Sequence, residues 1–111
     1  MSKREDSVRL RHMLDAGREA LAFAEGETRA ALEADRKLAL ALLKCIEILG
    51  EAASRVSPET QESHPEVPWK KIIAMRNRLI HGYYEIDLEL VWDTISTDIP
   101  PLMKSIQKVL Q

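Results

Sequence analysis

The chain has 111 residues, which fits one compact domain and leaves little room for a second. Its composition, with 45% hydrophobic and 31% charged residues, is ordinary for a soluble globular protein. The net charge of −2 does not favour nucleic-acid binding by the molecule as a whole, so any such binding requires a local basic patch.

The N-terminal segment MSKREDSVRLRHML is charged and lacks the apolar centre of a signal peptide. No uninterrupted apolar run approaches the length that spans a membrane. Cys45 is the one cysteine, which excludes an internal disulfide and indicates a reducing compartment. We therefore expect a cytoplasmic protein with no membrane association.

Two helical patterns occupy the N-terminal third of the chain. Between Leu10 and Ala24, apolar residues recur at steps of three and four, which predicts a helix over roughly 4–25. Gly26 is expected to end this helix. The segment ETRAALEADRK, residues 27–37, is weakly patterned and is expected to form a short helical connector.

The strongest helical pattern covers roughly residues 35–56, with Asp35 as the expected N-cap. Two adjacent apolar stripes run along it, which is broader than contact with one neighbouring helix requires. This helix is therefore expected to pack on neighbours at two sides, or on its own chain and a second subunit. Its remaining face carries Lys44, Glu47, Glu51 and Ser54.

Prolines set the next boundaries. Three of them between residues 57 and 68 exclude a long helix there, although Ser57-Pro58-Glu59 can open a short one. The following helix is predicted to run from near Pro68 to about His81, where Gly82 can end it.

Asp87 is the expected cap of a last helix, whose apolar stripe extends from Leu88 to Leu110. Pro100 removes a backbone donor and clashes one turn back, so Pro100 and Pro101 predict a kink or a break. No segment of useful length alternates as a β-strand does. The predicted fold is all-α: four main helices in an antiparallel bundle, with short connecting helices and a Pro-kinked last helix.

Arg76 lies on the apolar side of its predicted helix. A helical projection at about 100° per residue places it inside an arc formed by Trp69, Ile72, Ile73, Leu79 and Ile80. A charged group there is costly unless it is paired or reaches a solvent-filled cleft. The structural interpretation is an ion pair with Glu47 or Glu51 of the long helix.

Potential RNA-binding groups concentrate around this arginine. No acidic side chain occurs between residues 67 and 84, and the ionisable groups there besides tyrosine are Lys70, Lys71, Arg76, Arg78 and His81. A guanidinium can clamp phosphate, and an imidazole can transfer protons near neutral pH. Asn77 can orient either group, and Tyr83 and Tyr84 can stack on unpaired bases. These are the parts that a metal-free ribonuclease requires.

Taken singly, these residues favour structural interpretations. A histidine at a helix C-terminus, as predicted for His81, is favoured by the helix dipole. Tyr83 and Tyr84 could be core or interface aromatics with satisfied hydroxyls. Their combination with Arg76 shifts the balance toward a ribonuclease. His12, His64 and His81 lack the spacing of metal ligands, so neither a metal nor a cofactor is expected.

The stretch RNRLIHGY, residues 76–83, fits the motif R-x4-H-x-Y and resembles the HepT family of HEPN-domain toxins. Members of that family are encoded beside minimal nucleotidyltransferase antitoxins of the MntA type. The phrases EILGEAASRVSPE, HPEVPWKKIIAMRNRLIHGYYEIDLELVW and DIPPLM also resemble the family, in the same order. The resemblance thus spans nearly the whole chain and implies a single HEPN-like domain over residues 1–111.

The resemblance also implies a homodimer in which the two motif-bearing helices face each other across a cleft. The arc around Arg76 would then line the subunit junction, and Arg76 and His81 would be the essential pair of a composite RNA-cleaving site, with Asn77 in support. The motif tyrosine, Tyr83, would accept AMP from the antitoxin, which would block the substrate phosphate.

Further residues receive supporting roles. Glu47 or Glu51 would position Arg76 or tune His81; a solvated face or a simple ion pair is the equally weighted alternative. Additional RNA contacts are expected from Lys70, Lys71, Arg78 and Tyr84.

Two other functions remain open on the sequence. The chain could be a binding module that holds RNA, a nucleotide or the nucleotidyltransferase without chemistry, as that enzyme's regulatory subunit. It could also be a structural dimer in which Arg76 pairs with Glu47.

Overall fold

The structure, a computed structural model, describes residues 3–80 and 85–111, without the side chain of Ile80. The described residues form seven α-helices and one π-helical segment, and they contain no strand, which confirms the all-α prediction. In chain order these are α1 (Lys3–Ala24), α2 (Arg29–Ala34), α3 (Arg36–Ser54), α4 (Pro58–Ser63), α5 (Trp69–Ile80), α6 (Leu88–Asp93), the π-helical segment (Thr94–Asp98) and α7 (Ile99–Leu110).

Helix ends follow local side-chain chemistry. The Asp35 carboxylate accepts from the Leu38 N–H, and the Asp87 carboxylate accepts from the Leu90 N–H, so both predicted caps are confirmed. Beyond α1, Gly26 adopts a φ of 75°, a left-handed conformation that glycine takes without the strain of a side chain. The predicted ends at His81 and Gly82 lie outside the described residues.

The contacts between α1 and α3 fix their relative direction. Near the start of α1, Asp6 accepts a hydrogen bond from Ser57, which follows the end of α3. Later in α1, Glu19 accepts from the Cys45 thiol in the middle of α3, at 3.7 Å. The two helices therefore run antiparallel.

A second antiparallel pair joins α5 to the last helical unit. The Thr94 hydroxyl lies 3.5 Å from the sulfur of Met75, and Asp98 pairs with Lys71 at 3.5 Å, so sequence position rises along one element as it falls along the other. Because α1 also packs on α7 and α3 on α5, four main helical units form one bundle. Fully buried side chains from several elements meet in its core: Met13, Leu32, Leu42, Val67, Val91, Ile95 and Ile106.

Both apolar stripes of α3 are covered within one protomer, by α1 and α5. Leu42 in one stripe and Ala53 in the other each have no exposed surface. The sequence left open whether a second subunit covers one stripe, and the structure assigns both to the chain's own core. Leu40 and Ile48 on the outer face of α3 are each 40% exposed.

The predicted interruption of the last helix takes the form of a change in hydrogen-bond register. The Ile99 N–H donates to the Thr94 carbonyl five residues back, as in a π-helix. Pro100 has no N–H, and in a regular α-helix its ring would clash with the carbonyl of Ser96. The wider turn before it lets the chain continue as α7, with the prolines in the first turn.

One buried carboxylate ties the start of α1 to the short helix α4. Asp6 is 3% exposed and accepts hydrogen bonds from the Ser57 N–H and from the hydroxyls of Ser57 and Thr60. Burial alone would raise the pKa of Asp6, but these hydrogen bonds outweigh burial, so the pKa lies below its usual value. The sequence reasoning missed this group, although Asp6 continues the spacing of Leu10 and Met13.

None of the helices within the described ranges is both long enough and apolar enough to cross a lipid bilayer.

The Asp6→Asn substitution should lower the free energy of unfolding at neutral pH by about 2–3 kcal/mol, because it removes hydrogen bonds to a buried charge. Since the folded-state pKa lies below the unfolded value, this contribution is complete above the unfolded pKa and is lost as pH falls below about 4. Urea titrations at a series of pH values should therefore show the variant and wild type converging in acid. The exposed Asp15→Asn control should change stability by less than about 0.5 kcal/mol. A deficit of Asp6→Asn that is the same at every pH would contradict this account.

Candidate active site around Arg76

Arg76 is placed by a close contact between α5 and α3. A Cβ atom built on Gly50 would lie 2.3 Å from Cβ and 2.6 Å from Cγ of Arg76, so only glycine leaves room for the arginine stem. The surrounding arc packs inside the same protomer, with Trp69, Ile72 and Leu79 all buried. The expectation that this arc lines a subunit junction is therefore wrong for its buried members.

The guanidinium end of Arg76 reaches an open groove of about 300 Å³ between α1, α3 and α5. Its side chain is 20% exposed, so the charge is neither sealed in the core nor fully solvated. Other residues of the groove wall are Arg9, His12, Lys44, Glu47, Ile48, Glu51, Ala52 and Arg55. A charged group in this apolar arc requires a partner or access to solvent, and the charged end of Arg76 has access to solvent.

Glu51 is the carboxylate that pairs with Arg76. Its Oε2 atom lies 3.4 Å from Nη2 of Arg76, and its Oε1 atom lies 3.0 Å from Nε of Arg55. Glu47 lines the same groove but pairs with Lys44 at 3.5 Å. The sequence could not choose between the two glutamates, and the structure assigns the contact with Arg76 to Glu51.

The Arg76–Glu51 pair is open to solvent on its carboxylate side. The Glu51 side chain is 46% exposed, and solvent-accessible ion pairs contribute only about 0–1 kcal/mol. A phosphate that accepts two hydrogen bonds from one guanidinium makes a stronger, charge-assisted contact. The geometry therefore allows Glu51 to position Arg76 and allows an anionic ligand to replace Glu51 as the partner of the guanidinium.

Two arginines that line this groove share an unusual feature at Nε. Nε of Arg76 and Nε of Arg9 are both buried, and neither finds a hydrogen-bond acceptor among the described residues. Buried donors are usually satisfied in folded proteins, so an unpaired donor requires a physical explanation. Both arginines line the same groove, Arg76 from α5 and Arg9 from α1.

The remaining predicted site residues divide between two sides of α5. Asn77 and Lys70, both exposed, lie seven positions apart and within about 20° of each other around the helix. Lys71 and Arg78 share the other side, and Lys71 pairs with Asp98 away from the groove. The structure therefore separates Lys71 and Arg78 from Asn77. His81, Tyr83 and Tyr84 lie outside the described residues.

Sequence reasoning missed Arg9, His12 and Arg55 as companions of Arg76. Arg9 and His12 stand three residues apart, which places both on the same side of α1. Arg55 follows Glu51 by four residues and so occupies the same face of α3. These spacings can be read from the sequence. That the faces of α1 and α3 meet at Arg76 follows only from the packing of the helices in the bundle.

Cys45 takes no part in the groove. It is buried, and burial together with the nearby charge and hydrogen bond of Glu19 raises the pKa of the thiol to about 11. A thiol with this pKa is almost entirely protonated at neutral pH and is a poor nucleophile. Cys45 is therefore a core residue.

Comparison with known proteins adds an independent line of argument. The sequence profile of a family described as "Ribonuclease HepT-like" matches residues 13–109. A protein of Caldanaerobacter subterraneus subsp. tengcongensis named "Putative RNase TTE0752" is 40% identical over 77 residues, which are 69% of each chain. The "Probable ribonuclease HepT" of Thermococcus cleftensis is 36% identical over 75 residues, which are 68% of each chain.

Another relative matches over nearly the full length. The "Putative RNase MJ1380" of Methanocaldococcus jannaschii is 30% identical over 109 residues, which cover 98% of this chain and 100% of the relative. No solved structure matches the chain significantly. The groove around Arg76 can therefore be compared with the requirements of ribonuclease activity, for which these relatives are named.

Proposed function

The chain belongs to the HepT-like ribonuclease family, and on that premise we propose that it is a metal-independent ribonuclease whose phosphate-binding group is Arg76. The observation that carries the proposal is the position of this guanidinium. Its stem is fixed against Gly50, its Nε has no acceptor among the described residues, and its end faces an open groove. A purely structural arginine in this arc would instead be expected to have its donors satisfied.

In the proposed reaction, the ribose 2′-oxygen attacks the adjacent phosphorus while the bond from phosphorus to the leaving oxygen breaks. His81 takes the proton from the 2′-hydroxyl or gives one to the leaving oxygen. Arg76 stabilises the negative charge that develops on the phosphorane. Asn77, one residue after Arg76 on α5, orients the phosphate or the imidazole.

The site is proposed to be composite, with one Arg76 and one His81 from each subunit of a homodimer. Exposed apolar surface on the outer face of α3 supports the association. Leu40 and Ile48 are each 40% exposed, and Ile48 also lines the groove. A second copy placed over this face would bury both side chains and bring the two grooves together.

Regulation is proposed to act through Tyr83. In this step the phenolic oxygen attacks the α-phosphorus of ATP, pyrophosphate leaves and the phenolic proton is released. The catalyst would be a cognate nucleotidyltransferase antitoxin. Tyr83 stands three residues after the last residue of α5, so an AMP group there would set a negative charge near the end of the Arg76-bearing helix. We expect the protein to act in the cytoplasm, in line with the reducing compartment that its single cysteine indicates.

A non-catalytic binding module is the second candidate, and the Arg76–Glu51 ion pair favours it. An arginine that already has a carboxylate partner could serve only to shape the groove for a nucleotide or a protein. The two functions differ in one outcome, because a binding module would hold RNA without cutting it.

The purified chain should cleave single-stranded RNA in the presence of EDTA, and His81→Ala should slow cleavage by at least about 100-fold. A matched control is His64→Ala, because the His64 imidazole lies 3.3 Å from the Glu66 carboxylate and is absent from the wall of the Arg76 groove. That variant should cleave at the wild-type rate. Full activity in His81→Ala, or wild-type protein that binds RNA and never cuts it, would refute the catalytic proposal.

Incubation with ATP and the cognate nucleotidyltransferase should add one adenylyl group, detected by intact-mass spectrometry. Tyr83→Phe should remain unmodified because it lacks the acceptor oxygen, whereas Tyr84→Phe should be modified normally. Modification of Tyr83→Phe to the wild-type extent would show that the acceptor is another residue.

A further inference from the structure

We infer that Arg9 and His12 of α1, together with Arg55 of α3, form a second phosphate-binding subsite in the groove that holds Arg76. A single RNA strand would then be bound at two phosphates, one at Arg76 and the other at this second subsite. The inference rests on the proposed function, because it takes RNA as the ligand of the groove. It adds residues that lie outside the R-x4-H-x-Y motif.

The charge of the groove supports an anionic ligand. Its wall carries four permanent cations and two carboxylates, a surplus of two positive charges. The whole chain has a net charge of −2, so the groove is positively charged whereas the molecule as a whole is negatively charged. Opposite charge concentrated in a cleft raises the local concentration of a polyanion.

The two carboxylates of the groove pair with cations of α3 and α5. Glu47 pairs with Lys44, and Glu51 bridges Arg55 and Arg76. Neither of them forms an ion pair with Arg9 or His12, so internal pairing within this groove leaves the α1 side positively charged.

Arg9 is not a fully solvated surface charge. Its residue surface is only partly exposed, and its buried Nε has no acceptor among the described residues. A phosphate offers several acceptor oxygens and can satisfy a guanidinium fork. Arg76 lines the same groove from α5, and its Nε also has no acceptor among the described residues, so the groove presents two guanidinium groups that one anionic strand can contact.

The test measures binding by the full chain of a fluorescein-labelled, single-stranded 2′-O-methyl RNA, which lacks the attacking hydroxyl and cannot be cleaved by the proposed reaction. Fluorescence anisotropy gives Kd over a series of NaCl concentrations. Arg9→Gln should raise Kd by roughly tenfold and reduce the slope of log Kd against log salt concentration by about 0.7–1, the effect of one lost phosphate contact.

Arg11→Gln is the matched control. It removes the same charge from the same helix, but Arg11 is exposed and lines a different surface cleft with Arg18 and Gln107. Its Kd should remain within about twofold of wild type. Arg9→Lys, which keeps the charge but not the fork, should retain the salt slope while binding less tightly.

Arg55→Gln provides a second loss of charge at a side chain that is 55% exposed, so the test does not depend on the folding of Arg9→Gln alone. Equal affinities for the Arg9→Gln, Arg55→Gln and Arg11→Gln variants would overturn the subsite, as would wild-type protein that fails to bind the oligonucleotide. Catalysis is scored separately on unmodified RNA. Selective loss of binding in protein that never cleaves supports the subsite and refutes the nuclease, and cleavage with unselective binding does the reverse.

Discussion

The close packing of Arg76 against Gly50 is the contact on which the site depends. It places the aliphatic stem of Arg76 inside an apolar arc, while the guanidinium end reaches a groove. A fully buried, unpaired charge would cost several kcal/mol. The position is tolerated because the groove gives the guanidinium access to solvent and Glu51 pairs with it. The same exposure that makes the ion pair weak leaves Arg76 available to another anion.

Helix α3 organises the site because it supplies both the glycine that admits Arg76 and the carboxylate that meets it. Gly50 and Glu51 are adjacent in sequence, and Glu47 and Arg55 lie one turn to either side of Glu51. Burial of both apolar stripes of α3 inside one protomer fixes this face relative to α1 and α5. The geometry of the groove is therefore a consequence of the core of a single chain, and the proposed dimer would act on a groove that already exists.

Much of the fold could be predicted because it is set by local chemistry. The caps at Asp35 and Asp87 and the interruption before Pro100 depend on residues within one or two turns of each other. The importance of Arg76 was also readable, since a cation inside an apolar arc violates the helical pattern. The choice of Glu51 over Glu47 was not, because both project from the same helix and only the contact with α5 distinguishes them. Arg9 and His12 were missed for a related reason, since the antiparallel packing of α1 brings them to the groove from a segment far away in sequence.

The availability of the Arg76 guanidinium is tested most directly by NMR of arginine side chains, which resolves individual Nε–H groups. The spectrum would be recorded on 15N-labelled protein during titration with the same non-cleavable 2′-O-methyl RNA, and Arg76→Lys would assign the signal. The account predicts that the Arg76 Nε–H resonance shifts progressively and saturates with bound RNA, because a phosphate binds a guanidinium whose Nε has no acceptor among the described residues and whose Nη2 contacts Glu51 in the free protein. An Arg76 resonance that stays in place while the protein is saturated with RNA would mean that this guanidinium serves the fold alone.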